Sequence, residues 1–308
     1  MTKSFSQHFL DFAGDLVGIP TIVRGAMQAL GDPLPMPDDS KAGIDLRGRM
    51  QWDQLLCRDY GDNSVVGATE VIEDWTCDIS DVFGLAASKS DLRRFTSLEE
   101  MVRADFPSLL NDVSLEGLQR LKEHDGGKNF NTDPMRTFMV NAWDGRIYLS
   151  NDGGSRHFAA AQYVAGQLGQ QIEMTGKLEV RRLNIFKIQE VKKRYRAFRI
   201  SESGFSELED AVRVFGGASG SARDISQVIR FPESPDERYS VIYTIDISTS
   251  RGQKIAAVMN EAGHIELLGH LESLCSNQHK WIRHLELINN RNTYGVEDPG
   301  FLANRYHG

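Results

Sequence analysis

The most regular alternation of apolar and polar positions lies between residues 97 and 183. Ser97-Leu98-Glu99-Glu100 is a capping box, with a hydroxyl acceptor three residues before a glutamate, and it opens a helix that ends near Phe106-Pro107. Ser114 caps a second helix whose Leu115, Leu118 and Leu121 fall on one face, and Gly126-Gly127 close it. The period then shortens to two. Thr137–Ala142 reads as a strand, Trp143-Asp144-Gly145 as a turn, and Ile147-Tyr148-Leu149 as a second strand. An Asp-Gly pair between two apolar runs predicts a hairpin. Asn151-Asp152-Gly153-Gly154 is a further turn, and the alanine-rich run Arg156–Leu168 reads as a helix that packs close to its neighbours. Lys177–Leu183 alternates again and predicts a strand.

The flanks carry weaker patterns. Phe5, Phe9, Phe12 and Leu16 share one helical face, which predicts an N-terminal helix packed on the body of the protein. Residues 31–50 hold three prolines and read as a loop or linker. Lys187–Arg199 reads as a solvated basic helix face, with Lys192, Lys193, Arg194, Arg196 and Arg199 around Tyr195 and Phe198. Gly216–Ser221 is glycine-rich but lacks the Gly-Lys-Ser/Thr ending of a P-loop, and is expected to be a flexible loop. Tyr239–Ile247 predicts a buried strand, residues 271–290 an amphipathic helix, and the residues from Arg291 a polar, loosely held tail. Together these elements predict an α+β fold in three regions: an N-terminal extension over 1–95, a core over 96–200, and an α/β region over 201–308 packed on that core.

Composition narrows the classes. With 35 Lys+Arg against 43 Asp+Glu the formal charge is −8, so the chain as a whole is not built to coat nucleic acid or an anionic membrane. Cys57, Cys77 and Cys275 are too far apart for a metal knuckle, and an odd count argues against a disulfide framework. Asp11 and Asp15 stand where a signal peptide needs its apolar run, and no stretch approaches the ~20 apolar residues of a membrane span. These features point to a reducing, cytoplasmic compartment.

Candidate chemistry is sparse. The acids at Asp59, Asp62, Glu70, Glu73, Asp74, Asp78 and Asp81 match no calcium-loop spacing and read as a solvated acidic surface. His264 and His270 are six residues apart, so on a helix they face different ways, and no metal site is expected there. The stretch of most interest is the strand, glycine turn and helix start at 146–168. Backbone N–H groups converge there at the positive end of a helix dipole, a ready anion site. Ser155 can cap the helix and Arg156 offers a planar fork suited to phosphate, with Gly153 and Gly154 allowing close approach. Asp152 can hold a divalent cation or orient a nucleophile, and His157 can carry a proton near neutral pH. Against this stands a plain structural reading: a tight turn, a cap and two surface residues.

The series SLEGLQRLKEHDGG, TFMVNA, RIYLS, NDGGSRHFAAA and KLEVRRL, spanning 114–183, resembles the ParB/sulfiredoxin-like superfamily. The resemblance implies a mixed-sheet core whose Asp-Gly-x-His-Arg turn and helix start hold nucleotide phosphates. Asp152 and Gly153 match the Asp-Gly and Arg156 matches the Arg. Ser155 replaces the usual His, Arg or Cys, and His157 follows the Arg where the common pattern has a His before it. Lacking a cysteine at the turn, the chain is not expected to do sulfiredoxin chemistry.

Three functions compete. The first is a phosphohydrolase or phosphotransferase taking a nucleotide triphosphate with Mg2+, or a phosphorylated small molecule. The second is a nucleic-acid-acting protein, a nuclease or DNA binder, that adds the basic stretch Lys192–Arg199. The third is a non-catalytic interaction protein on the same scaffold.

Overall fold

The computed structural model describes residues 43–46, 55–57, 60, 65–124, 130, 136–201 and 240–294. In chain order these form β1 (Gly67–Asp78), β2 (Val82–Leu85), α1 (Leu98–Asp105), α2 (Leu115–Glu123), β3 (Thr137–Asn141), β4 (Ile147–Ser150), α3 (Ser155–Leu168), β5 (Glu173–Leu183), α4 (Ile185–Lys192), β6 (Tyr195–Ser201), β7 (Ser240–Asp246), α5 (Ser250–Glu261), α6 (Leu267–Cys275) and α7 (Gln278–Tyr294). One sheet has five strands in the order β1-β5-β3-β4-β2, and a second has β6 and β7 alone. The fold is α+β.

The described residues fall into two compact units. One takes Thr69–Arg182 with residues 43–46 and 276–294; the other takes Leu183–Cys275 with residues 55–57, 60 and 65–68. The units therefore interleave along the chain and do not follow the regions 1–95, 96–200 and 201–308. Strand pairing is the reason: β1 and β2 lie before residue 95, yet they belong to the same sheet as β3, β4 and β5.

In the five-stranded unit the Asp-Gly turn does what its residues dictate. Asp144 and Gly145 both donate to the Asn141 carbonyl, at 3.2 and 3.0 Å, and Gly145 takes a φ of +68°. The hairpin β3–β4 is antiparallel, pairing Phe138 with Leu149 and Val140 with Ile147. Strand β5 joins β3 in parallel, and β2 joins β4 in parallel with an irregular register between Val82 and Gly84. Part of the stretch read as a loop extends this edge. Leu46 donates to the Leu85 carbonyl and Leu85 to the Ile44 carbonyl, each at 2.9 Å.

Helix α3 is the centre of this core. Phe158, Ala159, Ala160, Ala161 and Val164 are fully buried, and both α1 and α2 pack on it. Alanines on three sides of a helix let three neighbours approach closely, which explains the composition of this run. The two serine caps hold: Ser97 accepts from the Glu100 amide at 3.1 Å and Ser114 from the Gly117 amide at 3.0 Å. Leu118 and Leu121 are buried as their spacing predicts, but Leu115 in the first turn is 58% exposed. Helix α7 adds Leu285 and Ile288 to this core, and its Asn289 accepts from the Thr76 amide at 3.0 Å.

In the other unit β6 and β7 form an antiparallel pair in which Phe198 faces Tyr243. Here the sequence expectation needs correction. Lys187–Arg199 is not one basic helix face: α4 ends at Lys192, and the chain enters β6 at Tyr195. Tyr195, Ala197, Phe198 and Ile200 are all buried, so the aromatics serve the core of this pair on both faces. The helix expected over 271–290 is two helices, α6 and α7, separated at Ser276-Asn277. Helix α7 continues through Arg291 to Tyr294, into the stretch read as a tail. The N-terminal helix and Gly216–Ser221 lie outside the described residues.

The acids of 51–90 act structurally where described. Asp78 and Asp81 form a reciprocal capping box over a short 3-10 turn, while Glu70 and Glu73 pair with Arg182 and Lys177. All three cysteines are free thiols, and burial with Asp81 and Asp78 nearby pushes the Cys77 thiol well up. No helix among the described residues is long and apolar enough to cross a membrane.

His264 lies just before α6 and is 4% exposed. Burial lowers its pKa from 6.5, opposed by a hydrogen bond to the Arg199 backbone. The unfolded chain therefore binds a proton more readily than the folded one. Stability is expected to be full above about pH 6.5 and to fall as the pH drops from there toward the lower folded value. Urea denaturation at a series of pH values checks this; His264→Gln should flatten the slope below about pH 6.5. A slope unchanged in that variant would assign the effect elsewhere.

Candidate functional site

The residues singled out from the sequence sit where β4 gives way to α3. Gly154 is the N-cap of the helix, in the left-handed region at φ 69° and ψ 8°, and no side chain bonds the N-terminal amides as a cap. Ser155 is thus not the cap expected of it. It is the first helical residue, buried, and its hydroxyl donates to Ser88 Oγ at 3.0 Å. The physical reason is the left-handed Gly154, which makes the turn that a β-region serine cap would otherwise make. The consequence favours an anion: the glycine at the N-cap has no side chain to offer the first-turn amides of α3.

The other residues divide by exposure. Asp152 is exposed, Gly153, Gly154 and Arg156 are half-buried, and His157 is buried. Among the described residues, its chain neighbours aside, none has an atom within 4 Å of a methyl group added at Gly153, so the turn is open to them on that side. Among the described residues Arg156 makes no ion pair. His157 lies against His124, the residue that closes α2, with ring centroids 3.4 Å apart and planes 22° from parallel.

Asn151 is a residue that the sequence reading placed in the turn without a role. It is 8% exposed and uses its amide in full. Its oxygen accepts from the amides of Ala86 and Ala87 at 3.0 and 3.1 Å, and its nitrogen donates to the carbonyls of Ala87 and Gly153, both at 2.9 Å. The loop after β2 is thereby clamped to the glycine turn. Ser88 continues the connection, donating to Met101 Sδ at 3.8 Å and accepting from the Ser90 amide at 3.2 Å. The local signal for Asn151 is only an Asx residue before Asp-Gly. Its partners lie some 64 positions upstream, where AASKS carries no motif.

The candidates for metal and nucleic acid are distributed differently. Among the described residues no group of three His, Cys, Asp or Glu could hold a metal ion. His264 precedes α6 while His270 lies within it, and between them Glu266 accepts from the Ala197, Leu268 and Gly269 amides. Along Lys192–Arg199, Lys192 pairs with Glu272 and Arg194 with Asp246. Arg199 is 4% exposed, and burial lowers its guanidinium to about 10.

The chain belongs to a family of unknown function, DUF6685, whose model matches residues 72–284. The match takes in both sheets, apart from the first five residues of β1, and the whole glycine turn. No curated protein and no solved structure matches the chain.

Proposed function

We propose that the protein binds phosphate compounds, nucleotides foremost, at the Gly153–Arg156 turn and acts on them as a phosphohydrolase or phosphotransferase. The observation that carries this is the start of α3: a left-handed Gly154 at the N-cap, which gives the helix no side-chain cap. Arg156 supplies a fork for the phosphate oxygens, and Gly153 leaves room for the ligand to approach. His157 is the candidate proton carrier. Asp152, exposed at the turn, offers one carboxylate to a Mg2+ arriving with the nucleotide, an ion that binds through one or two carboxylates plus phosphates. The resemblance to the ParB/sulfiredoxin-like order of helix, hairpin, glycine turn, alanine-rich helix and strand supports the same placement.

The test is a thermal-shift panel of nucleotides with and without magnesium. Ligand at a hundred times its Kd adds about 2.7 kcal/mol of apparent stability, so a binding nucleotide raises the midpoint. Arg156→Ala is expected to fold normally and to bind at least about tenfold more weakly, since a charge-assisted bond contributes ~1.5–3 kcal/mol. A panel that leaves the wild-type midpoint unmoved would remove this reading.

One observation favours a non-catalytic scaffold instead. The Ser155 hydroxyl is engaged by Ser88 and the His157 ring is covered by His124, so two of the polar groups are occupied within the fold. Under that reading a protein partner co-purifies and no nucleotide changes the midpoint. The nucleic-acid reading draws less support, because Lys192 and Arg194 already have carboxylate partners.

A further inference from the structure

Two imidazoles from different helices meet beside the glycine turn. His157 is the third residue of α3 and 9% exposed, while His124 closes α2 and is exposed. Their rings overlap nearly parallel, with 3.4 Å between centroids. An imidazole alone on a helix has a broad, roughly two-fold choice of ring angle. A ring lying flat under another at van der Waals distance is held in one plane, because rotation out of that plane drives an edge into the covering ring.

We propose that His124 is a positioning residue for His157, a cover ring that holds the His157 imidazole in one plane beside the Gly153–Arg156 turn. The claim deepens the phosphate-site reading and rests on it for its catalytic meaning. The plane matters because an imidazole nitrogen passes its proton along a direction that lies in the ring plane, so the plane decides whether a nitrogen is aimed at the reacting group. The placement of His124 is itself fixed from a distance. The Ser114 cap starts α2, and Leu118 and Leu121 seat it in the core, so its last residue arrives over α3 at a set height. If the contact served stability alone, losing it would lower the melting midpoint and leave the His157 signals unchanged.

The substitutions His124→Phe and His124→Ala separate the two roles. Phenylalanine keeps a flat ring over His157; alanine removes it. Nitrogen-15-edited spectra of the imidazoles are expected to show one sharp His157 resonance set in the wild type and in His124→Phe, and exchange-broadened or shifted signals in His124→Ala. Turnover of the nucleotide found by the thermal-shift panel should follow. His124→Ala lowers kcat by about tenfold or more with KM little changed, and His124→Phe restores it. His157 signals in folded His124→Ala that match the wild type would overturn the proposal. Should the alanine variant not fold, averaged His157 signals in His124→Phe would overturn it equally. A wild type that binds no nucleotide defeats the phosphate reading instead, and the spectra decide the geometric claim independently.

Discussion

Gly145→Ala is expected to destabilise the five-stranded unit by about 2–5 kcal/mol. Two costs combine. The position has a φ of +68°, where an L side chain costs roughly 1–2 kcal/mol. An added Cβ would also stand 2.2 Å from Trp281 Cε3, and overpacking of this kind costs about 1–3 kcal/mol. The backbone cannot shift to relieve the clash without losing the Gly145 amide bond to Asn141. Trp281 is partly held as well, its ring lying edge-on to His284 at 5.7 Å. A natural domain has only about 5–15 kcal/mol in all, so the urea midpoint should fall sharply. Gly145→Asn should cost less, because asparagine tolerates left-handed angles better. Combining Gly145→Ala with Trp281→Ala should recover the crowding cost and leave the backbone cost. A melting midpoint within about 2 °C of wild type would contradict this account of the turn.

Asn151→Ala is the second large effect. It takes the Asn151 side chain from the Ala87 amide and from the Ala87 and Gly153 carbonyls, while the Ala86 amide keeps its second acceptor, the Leu149 carbonyl at 3.0 Å. A buried polar group so stranded costs ~1–3 kcal/mol, and water entering a half-buried loop recovers part of this, so about 2–4 kcal/mol is expected in total. The damage should be local. Hydrogen exchange at the Ala87 amide should accelerate more than exchange within β3 or β5, with the Ala86 amide still held by the Leu149 carbonyl. Asn151→Asp keeps the acceptor for the two amides but loses both donors and sets a charge against two carbonyls, so it should lie between alanine and wild type. Uniform exchange across the sheet in the alanine variant would show that the clamp is not local. Any phosphate binding at the turn should weaken too, since the Gly153 carbonyl loses its tether.

What the sequence made legible is what short range decides. Ser97 and Ser114 cap their helices, Asp144-Gly145 turns the hairpin, and the alanines of 159–161 mark a helix packed on several sides. The candidate turn was legible as a contiguous run of residues. What stayed hidden depends on partners far away in the chain. Ser155 reads as a cap until Ser88 claims its hydroxyl, and Asn151 reads as a turn former until the loop after β2 is brought to it. Lys187–Arg199 reads as one helix because basic residues dominate it. The alternating burial demand of a partner strand, β7, decides where the helix stops. His124 lay within the helix that suggested the family likeness, but its meaning comes from the ring beneath it.

The strand order β1-β5-β3-β4-β2 also governs how the protein is made. Strand β1 has no sheet neighbour until β5, about a hundred residues later, has left the ribosome. Strand β2 has residues 44–46 beside it from the start but waits for β4 on its other side, and the core waits for Leu285 and Ile288 from α7. Strand β1 therefore emerges as an unpaired edge and β2 as a half-paired one, and the nascent chain is expected to depend on folding helpers until α7 has been made. Truncation ahead of α7 should yield insoluble chains, not a smaller stable domain.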